Sequence, residues 1–480
     1  MATGTKGNGL ERETGLKTLG LIVALLCGPA FTGCATNDPL RTREHRPASS
    51  SSLYVSSIPG SASARSRATP EQDIADRTFT LAECIKIALE RNPRTRSSWH
   101  SSRSTAAKVG QAKSAYLPSA DFTTGARRGD LVSLDTNQET GPANAFDAGF
   151  GVRYLLFDGG DRSARVKGAE AELLAANFRH NTILQDVALA VEEAYYELLA
   201  AMWLKKVAEE TVEQTKHHVD LAHARYKSGV AARSDVLKTE TEKADADLAS
   251  VRARSSVRIA RGRLAIATGL RVSKSFEIVD LPENIHGQEL ADIEQLLDEA
   301  AATRPELRAA LARIEARTAD ISIARARYWP TVTADADYGW RDRTFVPDRD
   351  EWSMGVSIDL PLFAGFNRTY QVRESKSELA RTIADYENLL RGVELEIWTA
   401  YSEVTEAREA IEAAKKLVSS AEESARVAEG EYKNGTGFII ELIDAQTART
   451  EARNRLVQAN LDWYAAMARF ERAAGRTLAD

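Results

Sequence analysis

The chain has 480 residues, a net charge of -6, and a composition that is 28% charged and 43% hydrophobic. Those values belong to a folded protein with room for several cores, and they exclude general disorder. The mildly acidic balance leaves no basic footprint for nucleic acid, and beyond the leader nothing approaches about 18 consecutive apolar residues, so helical membrane spans are not expected.

Lys6, Arg12 and Lys17 precede an apolar run from Leu19 to Ala30, too short for a stop-transfer helix and suited to a secretory signal. Phe31-Thr32-Gly33-Cys34 resembles a bacterial lipobox, with Phe31 where Leu is usual. A lipoprotein-type signal peptide is therefore expected over residues 1–33, with lipidation of Cys34; a plain signal with an incidental cysteine is the alternative. Ala35 follows the cysteine, and in that resemblance the absence of Asp there points to the outer membrane. Cys27, Cys34 and Cys84 offer neither a disulfide framework nor zinc spacing. Residues 34–76 are rich in Ser, Pro, Arg and Thr without apolar period, which reads as a lipid-anchored flexible linker.

Structure is expected from residue 77. Thr80 and Glu83 make a capping box for a helix from Leu81 to Arg91, which Asn92-Pro93 interrupts. The period then changes to two. Strands are expected at about 119–128, where alternation is weak, and at about 146–157, where Phe146, Ala148, Phe150, Val152, Tyr154 and Leu156 oppose Asp147, Gly149, Gly151 and Arg153. A proline-free helical stretch follows from Gly160 to Tyr226, and helices continue to about residue 269.

All of this then recurs. Pro93 and Pro118 return as Pro305 and Pro330 at an offset of 212, while Leu156-Phe157, Tyr226 and Gly229 return as Leu362-Phe363, Tyr432 and Gly435 at an offset of 206. The chain divides into a first repeat, 77–285, and a second, 286–480. In the second, strands are expected at about 331–341 and 351–362, with long helices to about 475. Ile383, Tyr386, Leu390, Val393, Ile397, Ala400, Val404, Ala407, Ile411, Ala414 and Val418 alternate three- and four-residue steps, the stripe of helices packed side by side. Leu184, Val187, Val191, Ala194, Leu198 and Ala201 form its counterpart. At a rise of about 1.5 Å per residue, each long helix would reach roughly 100 Å.

Strands of about 10 residues suit a tilted crossing of a bilayer, and Tyr338, Trp340 and Trp352 lie near the loop end of one hairpin, as an interfacial girdle would. A soluble half-buried sheet alternates in the same way and stands as the other reading. In lipid, no edge can stay unpaired, so four strands must pool with copies of the same chain. The fold class expected is mixed α and β: a transmembrane β-barrel shared between copies, four strands per chain, continuous with long helices and internally duplicated.

Asn92-Pro93, Tyr116-Leu117-Pro118 with Tyr328-Trp329-Pro330, Leu156-Phe157-Asp158-Gly159-Gly160 with Leu362-Phe363-Ala364-Gly365, and Tyr226-x-x-Gly229 followed by Asp235-Val236-Leu237 together resemble the outer membrane efflux protein family, the TolC-like channels. The resemblance implies a trimeric transmembrane β-barrel on a long-helix periplasmic α-barrel: a homotrimer in outer-membrane lipid, acting with a periplasmic adaptor and an inner-membrane transporter as the exit duct of an efflux pump or type I secretion system. It also implies that the helix tips, Tyr226 to Leu237 and Tyr432 to Ile443, gate the pore and meet the adaptor, with Tyr226, Gly229, Asp235, Tyr432 and Gly435 at the tip. Glu441 and Asp444 match an acidic pore constriction; a first-turn interaction with the helix dipole is the plainer reading, and Asp235 is taken as such a cap. Gly229 and Gly435 equally suit simple helix punctuation. Tyr432 resembles a latching tyrosine, but Gly437 stands where some relatives carry arginine, and Phe366 stands where glycine is common.

No catalytic constellation, metal site or cofactor is expected. His180, His217 and His218 read as part of a solvated face. The competing reading is a lipid-anchored periplasmic coiled-coil adaptor or structural protein.

Overall fold

A computed structural model of the chain describes residues 47, 49–53, 78–132, 139–273, 276–280, 292–343, 345 and 350–475. The signal peptide, Cys34 and most of the linker lie outside the described residues.

Strand β1 (Thr78–Phe79) leads into α1 (Leu81–Arg91) and α2 (Pro93–Ser114). The capping box forms: Glu83 N–H donates to Thr80 Oγ1 at 3.3 Å, and Thr80 N–H donates to Glu83 Oε2 at 2.9 Å. Pro93 opens α2 because its missing N–H is one that a first turn leaves unpaired anyway. A hairpin follows, β2 (Ser119–Val132) and β3 (Glu139–Phe157), then the long α3 (Asp161–Lys227) and α4 (Arg233–Thr268). The second repeat has β4 (Glu277–Ile278), α5 (Ile293–Thr303), α6 (Pro305–Ala326), β5 (Thr331–Asp342), β6 (Asp350–Asp359), α7 (Asn367–Asn434) and α8 (Ile439–Ala473). At 67 and 68 residues, α3 and α7 each extend about 100 Å. No helix among the described residues is long and apolar enough to cross a membrane.

The four long strands make one antiparallel sheet in the order β2-β3-β5-β6. It is open, with β2 and β6 as free edges. Strand β3 starts well before the onset of clear alternation at Phe146, because pairing with β2 carries it outward past a register shift between Gly129 and Leu131. The short parallel pair β1 and β4, two residues each, has no signature in the sequence pattern.

The helices form four columns. In the lower part α4 packs on α3, α3 on α8, and α8 on α7; in the upper part α2 packs on α3, α3 on α6, and α6 on α7. Column α2 continues into α4 across a tight joint, where Asn92 Nδ2 donates to the Ala267 carbonyl at 2.8 Å. The stripe on α7 from Val393 to Ala414 is buried, as is its α3 counterpart from Leu184 to Ala201. Where the repeats meet, Tyr196 stacks on Tyr464 at 4.9 Å, and Arg472 bridges Asp186 at 2.8 Å and Glu306 at 3.0 Å.

Phe366 departs from family habit at a structural price: its φ is +65°, in the region where its repeat counterpart Gly160 sits at +92°. An L side chain there costs about 1 kcal/mol or more.

Candidate functional site

At the lower end of the molecule, α3 and α7 each stop at a glycine. Gly229 has φ +77° and Gly435 +84°, and in each turn an N–H beyond the glycine reaches back to the last carbonyls: Val230 to Arg225 at 3.0 Å, Thr436 to Glu431 at 3.0 Å. A Cβ at Gly229 would meet open space, so the dihedral alone sets the requirement there.

The two tips are not equivalent. Tyr432 is buried among Leu221, Ile439 and Leu442, whereas Tyr226 stays largely exposed. Arg225, near the end of α3, lays its guanidinium over the Tyr432 ring at 4.6 Å and donates through Nη1 to the Tyr432 carbonyl. This joins the first helical hairpin to the second. Burial, and after it the charge of Asp235, pushes the Tyr432 hydroxyl up, with Arg225 acting in the opposite sense. The structure thus gathers Asp235, Tyr432 and Arg225 into one cluster, and places Gly435 beside it, where a Cβ would lie 3.7 Å from the guanidinium. Tyr226 is exposed, and Gly229 borders open space.

Sequence reading missed Arg225. Its counterpart one repeat later is Glu431, so the duplication gives no hint of it, and the pairing spans 207 residues.

Glu441 and Asp444 lie one turn apart on the exposed side of α8, with Leu442 buried between them. Glu441 has a structural duty as well: its Oε2 accepts the Phe438 N–H at 3.1 Å, closing the first turn of α8. Ala232 is the N-cap of α4 and supplies no side-chain hydrogen bond, while Asp235 lies in the first turn, where a carboxylate meets the positive end of the helix dipole.

Above the tips the seam between the hairpins is polar. Gln446 donates to Gln214, Thr211 meets Thr450 at 3.4 Å, and Arg453 bridges Glu210 at 2.8 Å and Glu422 at 2.6 Å. His180 and His218, expected on a solvated face, are buried instead. Column α3 has neighbours on both sides along its length, so few of its faces stay open. Among the described residues, no group of three His, Cys, Asp or Glu side chains is placed to hold a metal ion.

At the other end, the register brings Asp121, Gly151, Asp337 and Ser353 into one row on one face of the sheet, and Phe122, Phe150, Tyr338 and Trp352 into a row on the other. Arg153 and Asp335 pair at 3.0 Å on the polar face. A Cβ on Gly339 would stand 2.9 Å from the Ala148 carbonyl oxygen, and one on Gly149 would stand 3.2 Å from the Tyr338 oxygen. The backbones lean together on the polar side, as in a sheet that curls toward it. On the opposite face Phe122, Trp352, Met354, Val356 and Ile358 are all exposed in the single chain.

The profile described as outer membrane efflux protein matches residues 84–270 and 296–476, one segment in each repeat. Protein CyaE of Bordetella pertussis is 29% identical over 392 residues, covering 80% of this chain and 81% of that protein. Outer membrane efflux protein BepC of Brucella suis is 25% identical, covering 84% and 86%. Among solved structures, the outer-membrane channel OprN superposes with a TM-score of 0.73 at 21% identity, covering 89% of this chain and 99% of that one. VceC from Vibrio cholerae gives 0.71 at 20% identity, covering 82% and 96%. The chain belongs to the outer membrane efflux protein family, whose members are outer-membrane channels and not enzymes.

Proposed function

We propose that three copies of this chain form a gated exit duct that carries substrates passively from a periplasmic adaptor and an inner-membrane transporter through the outer membrane, in a tripartite efflux pump or a type I secretion system. The observation that carries this reading is the open four-stranded sheet, apolar on one face, polar and curled on the other, with both edges free. Unpaired backbone is not tolerated in lipid, and an apolar face of this extent needs a cover. Three copies bring twelve strands, enough to close with lipid outside and a polar lumen inside.

The helical layer supports the same assembly. Its two end columns are unlike, so copies associate head to tail, the arrangement that closes a ring. On α4 a second apolar stripe is exposed: Leu237, Leu248, Val251, Ile259 and Ile266, with Thr241, Ala244 and Ser255 completing its three- and four-residue steps as far as Ile259. The other end column, α7, exposes Leu395 and Trp398 beside Glu394, Glu406 and Glu409, opposite in charge to Arg252 and Arg258 of α4.

Residue roles within this reading follow from the tip geometry. Arg225 and Tyr432, with Asp235 nearby, hold the tip closed; Asp444 and Glu441 form the acidic ring; Tyr226, Gly229 and Gly435 present the turns to the adaptor; Cys34 carries the lipid. The test is outer-membrane fractionation followed by electrophoresis without boiling. A heat-modifiable trimer extracted only by detergent is the expected result, and a water-soluble monomer refutes the proposal.

A further inference from the structure

Residues 47 and 49–53 lie against the helical body. Ser49 and Ser52 close a small turn of their own: Ser49 N–H donates to Ser52 Oγ at 2.9 Å, and that hydroxyl donates to the Ser49 carbonyl at 3.0 Å. The turn is joined to α2 and α3 at two points. Trp99 Nε1 donates to the Pro47 carbonyl at 3.2 Å, and His180 Nε2 lies 3.1 Å from the Ser52 carbonyl. A carbonyl can only accept, so Nε2 carries the proton. Nδ1 of the neutral ring then accepts from the Ser98 hydroxyl at 2.8 Å, which commits that hydroxyl's single proton to the ring rather than to the Thr95 carbonyl at 3.0 Å. His180 has 0% exposure and Pro47 is buried.

The groove between α2 and α3 is polar in its depth. Thr95, Ser102 and Asn177 are buried there, with Ser102 donating to Asn177. Those three are satisfied within the helical body, and the donors left to a visiting backbone are the Trp99 indole N–H and the His180 Nε2–H. The Pro47 and Ser52 carbonyls take these two donors.

We propose that the Ser98–Trp99–His180 groove is a receptor for the chain's own N-terminal segment, a strap that fixes the tether to the helical body. The purpose of the strap rests on the lipid-anchor reading of Cys34, but its docking does not. His180 lies 19 residues into α3, about 29 Å from the strand–helix junction. Pro47 is thirteen Cα–Cα steps from Cys34, a reach of at most about 45 Å. A lipid on Cys34 therefore reaches the membrane boundary with the strap docked, and its pull is borne by two helices in place of the two-residue β1. Burial pushes His180 down to about 4, which keeps the ring neutral and the hydrogen-bond pattern intact at neutral pH.

Chymotrypsin digestion of the full chain, purified as folded trimer in detergent and read by mass spectrometry, tests this. Cleavage after Leu53, next to the bonded Ser52 carbonyl, requires the strap to leave the groove. His180→Leu removes the donor while filling the space, and Trp99→Phe removes the indole N–H while keeping an aromatic ring. Each is expected to speed that cleavage about tenfold, with trimer content unchanged. Equal rates in wild type and in the double variant overturn the proposal; should His180→Leu fail to fold, Trp99→Phe decides alone. A Cys34→Ser chain that keeps its protection supports docking by the groove itself even where lipidation is absent, and one that loses its protection overturns it.

Discussion

Tyr226 and Tyr432 stand at the same place in the two repeats, 206 residues apart, yet Tyr226 is 46% exposed and Tyr432 only 2%. Duplication supplied two tyrosines, and the Arg225 guanidinium engages one of them. The second hairpin is thus tied to the first by a contact that its own half does not reciprocate.

Removing that tie should loosen the tip. Arg225→Ala forfeits a cation–π contact and a charge-assisted hydrogen bond, together about 2 kcal/mol, so the open fraction should rise about thirtyfold. Single-channel recording in planar bilayers reads this directly. Unchanged conductance in an intact trimer would remove the tie from the gate.

The two acidic residues of α8 should separate by role. Asp444→Asn should reduce cation preference and leave stability alone, because its carboxylate has no capping duty in the structure. Glu441→Ala should cost about 1 kcal/mol as well, since the Phe438 N–H loses its acceptor, and Glu441→Gln should restore that loss without restoring selectivity. Reversal potentials and thermal melts, measured on the same samples, distinguish the outcomes.

Two glycines of the sheet offer an internal comparison. Gly339→Ala puts a methyl 2.9 Å from a backbone oxygen, whereas Gly355 has nothing within 4 Å in the single chain. Trimer yield after refolding into detergent should fall severalfold for Gly339→Ala and stay near wild type for Gly355→Ala. Equal yields would mean that the close approach of β3 and β5 is not required.

The exposed stripe on α4 should be needed between copies and dispensable within one. Ile259→Asp places a charge on that stripe, away from every helix of its own chain, and should abolish the trimer while the monomer retains its helical circular dichroism. A normal trimer would direct attention to another face.

A buried carboxyl should leave a mark on the pH dependence of stability. Burial, with Glu471 and Glu193 nearby, pushes Glu192 from 4.5 up to about 7. A raised carboxyl favours the protonated form in the folded state, so its contribution is complete below pH 4.5 and is lost as pH rises through 7. Glu192→Gln should therefore flatten the melting profile across that window and stabilise the protein by up to about 2 kcal/mol at pH 8. A variant with the wild-type slope would contradict the assignment.

Much of the architecture can be read from local period alone. The stripe from Val393 to Ala414 is buried where its heptad spacing says it should be, and β5 and β6 alternate visibly, with apolar residues on one face of the sheet and polar ones on the other. Turn glycines are equally legible, since a positive φ restricts the residue type wherever it occurs. His180 and His218 were misread because a helix's own sequence records one preferred face, and α3 is covered on more than one.

Sequence by itself determined the duplication, the two strands and long helices of each repeat, and the turns that end them, for these depend on residues a few positions apart. Tertiary structure decided which tyrosine is held, which carboxylate closes a helix, and where the N-terminal stretch lies. Those outcomes turn on pairs such as Arg225 with Tyr432 and His180 with Ser52, separated by 207 and 128 residues, and no periodic signal encodes a meeting at that distance.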